Sequence, residues 1–311
     1  MRVLVTGGAG FIGSHVVDRL VAGGHTVAVV DDLSTGLAAN VNPAATLHVC
    51  DIRDAPELSR VAETTRPQAI VHLAAQAAVP RSVEDPIFDA SVNVLGSINL
   101  LQAGRRVGAE RVVYVSTGGA AYGDTNVLPT PEDHPTRATS PYGVSKVTAE
   151  RYLECFAGLS SMVGMTLRLA NVYGPRQRPD GEAGVVAIFA QRLLAGQPCT
   201  IYGDGEQTRD YVYVADVAAA AETALSSPAT GVVNISTGRE TSVNALYRQV
   251  AAAVGVTHVP EYAPARAGEV RRSVLANARA RTLLSWEPRH PLERGIEATL
   301  GWMRTVVAAK S

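Results

Sequence analysis

The segment TGGAGFIG at residues 6–13 follows a short apolar run at residues 2–5 and precedes a helical pattern from about Ser14 to Ala22. Its glycines satisfy two spacings: Gly7, Gly10 and Gly13, or Gly8, Gly10 and Gly13. Such glycines permit a tight turn and let the backbone approach a pyrophosphate, which the free N–H groups of a helix N-terminus attract. The segment therefore predicts a dinucleotide-binding loop between the first strand and the first helix.

An acidic residue follows this loop at the interval expected for an acid that binds a ribose. Asp31 ends the second apolar run, HTVAVVD at residues 25–31, about 20 residues after the glycines. A carboxylate there accepts hydrogen bonds from ribose hydroxyls and repels a 2′-phosphate, so it favours NAD over NADP. The cofactor-binding residues predicted from these two features are Gly7, Gly10, Phe11, Ile12, Gly13, Asp31 and Asp32.

Two further strand ends are candidates for contacts with the cofactor. Asp51 and Ile52 follow the strand-like TLHVC, where one acid and one aliphatic side chain suit an adenine, although a loop acid without a role is an equally good interpretation. The next apolar run ends in small and apolar residues: Leu73, Ala74 and Ala75. A cofactor could pass close to them, but sheet packing alone explains them equally well.

Apolar, β-branched runs alternate with helical patterns through the first half of the chain. The runs are RVLVTG (2–7), HTVAVVD (25–31), QAIVHLA (68–74) and RVVYVST (111–117). Because strands that are apolar on both faces suit a parallel sheet covered by helices, this alternation predicts an α/β fold with a doubly wound parallel sheet of the Rossmann type. We expect an NAD-binding domain at 1–166, to which 211–236 returns, and a smaller mixed α/β substrate-binding region at 167–311.

The composition excludes several classes of function. With 28 basic and 29 acidic side chains the formal net charge is −1, which implies no general attraction to nucleic acid or to a membrane surface. The three cysteines form no CxxC pair, so we expect neither a disulfide framework nor a metal site. No apolar run approaches the roughly 18–20 residues that cross a bilayer, and no signal-peptide pattern is present, so we expect a cytoplasmic protein.

The sequence SPYGVSKVTAERYL carries a tyrosine and a lysine one helical turn apart. Ser140 suits the N-cap and Pro141 the first helical position, which places Tyr142 and Lys146 on one face. Free tyrosine has a pKa of about 10, but an ammonium and the positive ring of an oxidised nicotinamide both stabilise phenolate. Lysine occurs elsewhere only at Lys310, so a compact ammonium is favoured at this position over a guanidinium. The pair predicts an acid/base for a hydroxyl group, against the alternative of two ordinary helix-surface residues.

With the glycine segment, Asp31, Tyr142 and Lys146 in this order, the chain resembles the extended short-chain dehydrogenase/reductases, and within them the UDP-glucose (UDP-galactose) 4-epimerases. The resemblance covers essentially the whole chain. It extends to LRLANVYGPRQ (167–177), GEAGVVAIF (181–189), YGDGEQTRDYVYVADVA (202–218) and RAGEV (266–270). It implies tightly bound NAD as the cofactor and a UDP-sugar as the substrate of the C-terminal domain.

The resemblance also implies roles for single residues. Tyr142 is the acid/base, and Lys146 holds the nicotinamide ribose and lowers the pKa of Tyr142. Asn93 matches an asparagine that lies near this pair on a helix. The implied substrate-binding residues are Asn171, Val185, Arg209, Arg266, Glu269 and Ser273. The two arginines suit a diphosphate because their forked side chains meet phosphate oxygens bidentately. A small residue at position 273, where some epimerases carry a tyrosine, leaves room for an N-acetyl group.

The reaction implied is an internal redox cycle. The tyrosinate removes the proton of the C4 hydroxyl while NAD accepts hydride, the 4-keto sugar turns over, and the hydride returns to the opposite face. The nucleotide diphosphate stays anchored throughout. The alternative within the same superfamily is an epimerase or 4-keto reductase of a dTDP- or GDP-linked sugar.

The segment STGGAAYGD at 116–124 departs from the common pattern of these enzymes. Many of them place the hydroxyl that assists the tyrosine at the position of Gly118. Here the nearest hydroxyls are Thr117, which we favour, and Ser116, and two glycines could let the backbone bulge to bring one of them to the sugar. Related dehydratases and decarboxylases carry acidic residues in this segment. Gly118, Gly119 and Ala120 have no ionisable side chain, so elimination and decarboxylation lack their groups.

Two further expectations rest on the resemblance. Some members of the superfamily are redox sensors or regulatory binding proteins without activity, but these commonly lack the tyrosine or the lysine, and this chain has both. A homodimer is expected, built from helices near 88–104 and 141–157 of each subunit.

Overall fold

The structure is a computed structural model that describes residues 1–179, 184–257, 259–265 and 270–308. Its β-strands, in chain order, are β1 (Arg2–Thr6), β2 (Thr26–Asp31), β3 (Thr46–Val49), β4 (Ala69–His72), β5 (Arg111–Thr117), β6 (Val163–Leu169), β7 (Asn171–Tyr173), β8 (Thr200–Tyr202), β9 (Thr208–Arg209), β10 (Tyr211–Tyr213), β11 (Gly231–Ile235), β12 (Thr241–Ser242), β13 (Glu261–Ala263) and β14 (Arg272–Ser273).

The α-helices are α1 (Phe11–Ala22), α2 (Ala55–Thr65), α3 (Val79–Glu84), α4 (Pro86–Ala90), α5 (Ser97–Arg106), α6 (Gly119–Tyr122), α7 (Pro141–Gly158), α8 (Val185–Leu194), α9 (Val214–Ser226), α10 (Val243–Val254), α11 (Ala278–Leu284) and α12 (Leu292–Ala308). A 3₁₀ turn spans Ala38–Asn40, and a π-helical turn, Ser91–Gly96, joins α4 to α5. The first helix begins three residues earlier than the sequence predicts, directly after the glycine loop.

The large sheet has seven strands in the order β11-β6-β5-β4-β1-β2-β3, and all its neighbours pair in parallel. The strand order reverses between β1 and β4, so the loops that follow these two strands diverge and leave a crevice at the carboxyl edge. The predicted fold class, a doubly wound parallel sheet, is confirmed.

Both faces of this sheet are covered, which explains why its strands are apolar throughout. On one face α1 and α9 pack together, with Val17, Leu20 and Val217 in a shared core. On the other face α2, α5 and α7 bury a second core that includes Leu100 and Leu153.

The C-terminal part of the chain builds a third core between α8, α10 and α12, and small sheets pair β7 with β10, β8 with β13, and β9 with β12 and β14. The segment at 211–236 is divided: β10 pairs with β7 outside the large sheet, while α9 packs on α1 and β11 forms the sheet edge. The division of the chain into two domains stays a prediction.

Within the described ranges, no helix has both the length and the apolar character needed to span a bilayer.

Candidate active site

The glycine loop forms a cradle at the N-terminus of α1. Gly7 has a φ of 71°, which an L side chain rarely adopts, and its N–H donates to Val30 O at 2.8 Å. A Cβ added at Gly13 would overlap Gly7 O, so helix and loop approach too closely for any other residue. No side chain caps the helix at Gly10, which leaves N–H groups of the first turn available to a phosphate. The loop therefore fits a dinucleotide pyrophosphate.

The acid at the end of β2 lies against this loop, as predicted. Asp31 is only 6% exposed, and its Oδ2 accepts from Ala9 N–H while its Oδ1 accepts from Leu33 N–H, both at 2.9 Å. Burial raises the pKa of Asp31. Each carboxylate oxygen keeps a lone pair for a ribose hydroxyl. Asp32 is exposed and holds Ser34 instead.

The predicted adenine residues lie farther along the same edge. The carboxylate of Asp51 pairs with Arg53, whose hydrogen bonds lower the pKa of Asp51. Ile52 is buried, and a Cβ added at Gly96 would come within 2.6 Å of its side chain. The structure thus directs Ile52 into the core and gives Asp51 a basic partner.

The residues after β4 run beside the glycine loop. Leu73 N–H donates to Thr6 O at 3.1 Å, and Ala74 N–H donates to Thr6 Oγ1 at 3.2 Å. A Cβ added at Gly7 would lie 2.7 Å from Ala74 N. Ala75 follows, partly buried. Small residues are therefore needed where the two diverging loops meet.

The tyrosine and lysine occupy the first turns of α7, which begins as predicted. Ser140 is the N-cap, accepting from Gly143 N–H at 3.2 Å, and Pro141 is the first helical residue. Lys146 is 3% exposed, and its ammonium lies 4.3 Å from the ring centroid of Tyr114. A helix cap and a buried aromatic ring thus hold the pair in place.

Burial governs the protonation of this pair. It raises the pKa of Tyr142 to about 12, against a smaller opposing effect of a hydrogen bond from Thr117. It lowers the pKa of Lys146 to about 7, although the carboxylates of Glu150 and Asp89 act in the opposite direction. Desolvation of the phenolate thus outweighs its neighbours in the protein by itself, and the lowering of the tyrosine pKa expected from Lys146 together with an oxidised nicotinamide stays a prediction.

The two candidate hydroxyls at the end of β5 point to different partners. Thr117 lies close enough to Tyr142 for its hydroxyl to lower the pKa of the tyrosine. Ser116 is buried and donates to Glu150 Oε1 at 2.5 Å, so the structure does not bring it to the tyrosine. Because successive side chains of a strand alternate in direction, only one of these hydroxyls can reach the tyrosine.

The predicted backbone bulge does not explain why glycine follows Thr117. Gly118 lies in the right-handed helical region, with φ −82° and ψ −54°, and caps α6. A Cβ at Gly118 would overlap Leu275 Cδ1, so any side chain at position 118 requires the buried Leu275 side chain to shift. Tyr122, in the same segment, is buried and donates to Asn234 Oδ1 at 2.9 Å. It belongs to the architecture of the loop.

Sequence reasoning missed a buried ion pair beneath this loop. Glu150 and Arg168 are 1% and 3% exposed, with Arg168 Nη2 donating to Glu150 Oε2 at 2.6 Å and Nε to Oε1 at 3.0 Å. Burial is the largest single effect and lowers the pKa of Arg168, but the hydrogen bonds and the charge of Glu150, with smaller effects of Tyr122, together outweigh it and raise the pKa. The signal was present: an arginine within an apolar strand, TLRL, needs a buried partner.

The predicted helix asparagine, Asn93, lies in the π-helical turn and is 1% exposed. Its Nδ2 donates to Ser145 Oγ at 3.0 Å, to Gln76 O at 2.9 Å and to Asp89 Oδ1 at 3.1 Å. Asn93 thus ties the loop after β4 to α7. Gln76 and Asp89 were not predicted, since no local motif marks them.

The predicted substrate-binding residues that the structure describes lie around β9. Ser273 on β14 pairs in register with Arg209, and a Cβ added at Gly119 would lie 3.4 Å from Ser273 Oγ. Asn171 is exposed at the start of β7, and its N–H donates to Asp210 O at 2.9 Å. Of these side chains, the structure brings that of Ser273 to the loop that follows Thr117.

The remaining predictions for the substrate fall at the edges of the described chain. Val185 is the first residue of α8 and packs against the third core. Arg266 and Glu269 lie outside the described residues. No group of three or more potential metal ligands occurs in the described portions of the chain.

Comparisons with known proteins agree with this geometry. The family model "NAD dependent epimerase/dehydratase family" matches residues 3–236. A protein named UDP-glucose 4-epimerase from Mycolicibacterium smegmatis is 48% identical over 311 residues, which cover 98% of this chain and 99% of that protein.

Two solved structures share the fold over nearly their full length. The UDP-glucose 4-epimerase of Thermotoga maritima with UDP-glucose has a TM-score of 0.97 and 46% identity, covering 99% of this chain and 100% of that chain. The UDP-glucose 4-epimerase of Thermus thermophilus in complex with NAD has a TM-score of 0.92 and 45% identity, covering 98% and 99%. On these grounds the chain belongs to the NAD dependent epimerase/dehydratase family.

Proposed function

We propose that the protein is an NAD-dependent epimerase that inverts C4 of a UDP-hexose, interconverting UDP-glucose and UDP-galactose through a 4-keto intermediate. The observation that carries this proposal is that Tyr142 and buried Lys146 lie one turn apart on α7, with Thr117 close enough to lower the pKa of the tyrosine. The relatives named UDP-glucose 4-epimerase, at 45–48% identity, support the choice of substrate.

The chain's own residues supply acid/base chemistry and positioning. NAD, when bound, accepts the C4 hydrogen with its electron pair and returns it, and its positive ring favours ionisation of a nearby phenol. Tyr142 takes the proton of the C4 hydroxyl and gives it back after the sugar has turned. Thr117 donates a hydrogen bond that stabilises the phenolate. Lys146 holds the nicotinamide ribose and keeps a positive charge beside the tyrosine.

The cofactor contacts follow from the edge of the sheet. The cradle at Gly7, Gly10 and Gly13 holds the pyrophosphate, with Phe11 and Ile12 at the helix start. Asp31 accepts from the adenosine ribose, and Asp51 lies near the adenine. The loop after β4 lines the middle of the cofactor, and Asn93 positions that loop against α7.

The substrate end uses residues of the C-terminal region. Arg209 binds the diphosphate and Asn171 contacts its oxygens, with Val185 at the start of α8 beside them. Arg266 and Glu269 complete the diphosphate and ribose contacts. The small side chain of Ser273, beside Gly119, favours a pocket that also accepts an N-acetyl group, which makes the N-acetylated UDP-hexoses a second substrate class.

One incubation discriminates among the candidate reactions. The purified protein is incubated without added cofactor with UDP-glucose, UDP-N-acetylglucosamine or dTDP-glucose, and products are resolved by chromatography. We expect conversion of UDP-glucose to UDP-galactose with no net change in NAD. In a parallel incubation with added NADH or NADPH, stoichiometric consumption of the reduced cofactor indicates a 4-keto reductase instead. Conversion of dTDP-glucose alone assigns the activity to a dTDP-linked sugar.

The acid/base assignment has a direct test. Replacing Tyr142 by Phe removes the ionisable hydroxyl and keeps the ring, so we expect turnover to fall by at least about 10³-fold while NAD stays bound. The matched variant Thr117→Val removes the assisting hydroxyl and keeps the size of the side chain, and we expect a smaller loss of turnover. Near-normal turnover of Tyr142→Phe disproves the role of the tyrosine.

We further propose that the protein is a cytoplasmic homodimer. Exposed apolar side chains lie on or directly beside neighbouring elements, α4, the π-helical turn and α7, which pack side by side: Ile87, Leu95, Val144 and Leu159. Association of two copies through this face buries them and forms a four-helix contact. The molar mass in solution tests the assembly, and cell fractionation tests the location.

A further inference from the structure

A buried histidine lies between the two loops that diverge at the crevice. His72, the last residue of β4, is 2% exposed. Its Nδ1 lies 2.7 Å from Thr6 Oγ1, at the end of β1, and its Nε2 lies 2.9 Å from Ser97 Oγ, at the start of α5. The imidazole thus bridges the strand that carries the glycine loop and the helix that follows the π-helical turn.

The neighbouring hydrogen bonds determine which nitrogen carries the proton. Ser97 Oγ donates its one proton to Asn93 O at 2.6 Å, so it can only accept from His72, whose Nε2 must be the donor. At the other end Thr6 Oγ1 accepts from Ala74 N–H at 3.2 Å, which leaves its own proton for Nδ1. Every group is satisfied by one species, the neutral Nε2–H tautomer.

The surroundings oppose a second proton on this ring. A protonated Nδ1 would leave the Thr6 hydroxyl proton without an acceptor in a fully buried site. The Tyr114 ring lies against the imidazole at a centroid distance of 5.4 Å, and the charge of Lys146 disfavours an imidazolium. Burial is the larger effect and lowers the pKa of His72 to about 3.

The chain of hydrogen bonds continues to the catalytic helix. The backbone carbonyl of Asn93 accepts from Ser97 Oγ. The side-chain Nδ2 of the same residue donates to Ser145 Oγ at 3.0 Å. Ser145 Oγ in turn donates to Tyr142 O at 3.0 Å. A continuous, buried path therefore leads from Ala74 N–H, beside the glycine loop, to the carbonyl of the tyrosine.

We propose that His72, held as the neutral Nε2–H tautomer, is a positioning residue that couples the dinucleotide loop to the first turn of the helix carrying Tyr142. The coupling rests on the proposed epimerase function. It fixes the position of the cofactor relative to Tyr142, and an error of about 1 Å in such a position costs on the order of 100-fold in rate.

The first test compares two substitutions of the histidine in the NAD-loaded enzyme. His72→Phe removes both hydrogen bonds and keeps a planar ring, so we expect kcat to fall roughly 10- to 100-fold with KM changed by less than about threefold. His72→Gln restores one acceptor and one donor, and we expect it to recover at least about a third of the wild-type kcat. Equal losses in both variants contradict the coupling.

A second pair of variants separates coupling from simple loss of stability. Thr6 and Thr299 are both fully buried, and Thr299 donates to Gly295 O at 2.7 Å in α12, away from this path. Both Thr→Val changes remove one buried hydroxyl. We expect Thr6→Val alone to lower kcat and to release bound NAD roughly fivefold faster, the factor expected for one hydrogen bond. Equal effects of the two variants overturn the proposal.

A spectroscopic readout is independent of turnover. In ¹⁵N-labelled protein the His72 ring should show the Nε2–H tautomer and no titration between about pH 5 and 8, the range in which an ordinary histidine titrates. A titrating ring or an Nδ1–H tautomer disproves the assignment. If the wild-type protein converts no nucleotide sugar, the proposed function fails, while the tautomer and the rate of NAD release still decide the coupling.

Discussion

The pKa values of Tyr142, Lys146 and His72 all move in the direction that disfavours charge. Tyr142 and Lys146 lie one turn apart, yet burial affects each more than its neighbours do. The fold therefore disfavours the charged form of each residue, and the phenolate that the proposed reaction needs gains further stabilisation from the positive ring of the bound cofactor. For His72 the same effect has a measurable consequence for stability.

The stability of the protein should fall in acid partly because of His72. Its pKa is about 3 in the folded state, against about 6.5 when unfolded, so between these values the unfolded chain binds more protons. This contribution is fully present above about pH 6.5 and is lost as the pH falls towards 3, at up to about 1.4 kcal/mol per pH unit. We expect the free energy of unfolding of His72→Gln to fall less steeply over this range.

Urea unfolding at a series of pH values measures this slope. His72→Phe serves as the control, because it also removes the titrating group and should flatten the curve to the same extent, whatever its stability at neutral pH. A slope that is the same in wild type and in both variants shows that His72 titrates normally in the folded protein.

At the scale of elements, the connection from β5 to α6 is shaped by a residue far along the chain. Leu275 is 2% exposed and fills the space into which a side chain at position 118 would project. In the proposed mechanism the assisting hydroxyl accordingly comes from Thr117, the last residue of β5, one position earlier. Packing against a distant segment, and not local turn chemistry, explains the glycine.

This packing predicts a coupled pair of substitutions. Gly118→Ala should lower the free energy of unfolding by about 1–3 kcal/mol, the usual cost of overpacking, and should lower turnover because the loop carrying Thr117 moves. In the background of Leu275→Ala the same change should cost much less, since the space has been opened. Denaturant unfolding of the four proteins measures the coupling, and additive effects contradict it.

At the scale of the whole molecule, the outer surface of α4, the π-helical turn and α7 stands out for its exposed apolar side chains. Ile87 is 82% exposed, Leu159 70% and Leu95 58%. The same helix, α7, carries Tyr142 and Lys146 on its inner face. The proposed homodimer would therefore pack against the outer face of the helix that carries Tyr142 and Lys146. Its dissociation should lower the free energy of unfolding as well as the molar mass in solution.

A charge in this surface should prevent association. Leu95→Glu and Ile87→Glu each place a carboxylate where the proposed contact is apolar, so we expect the molar mass by light scattering to fall from that of two chains to that of one. Val259→Glu is the matched control, because Val259 is 80% exposed in the C-terminal region and outside this surface. If both Leu95→Glu and Ile87→Glu remain dimers, the contact between the two copies lies elsewhere.

Local motifs were sufficient where chemistry requires particular residues at short spacing. The glycine segment, Asp31 and the Tyr142–Lys146 pair each depend on a single turn or helix, so their positions follow from sequence. The parallel sheet followed from strands that are apolar on both faces. The family predicted from these motifs is confirmed.

What only the tertiary structure decided involves partners far apart in the chain. Sequence favoured Thr117 and kept Ser116 as the second candidate, and only the structure shows that the Ser116 hydroxyl donates to Glu150. It gave no sign of the path through His72, whose members come from five elements: β1, β4, the π-helical turn, α5 and α7. The physical reason is the same in both cases: a buried polar group must find a hydrogen-bond partner, and which partner is within reach depends on how distant segments pack.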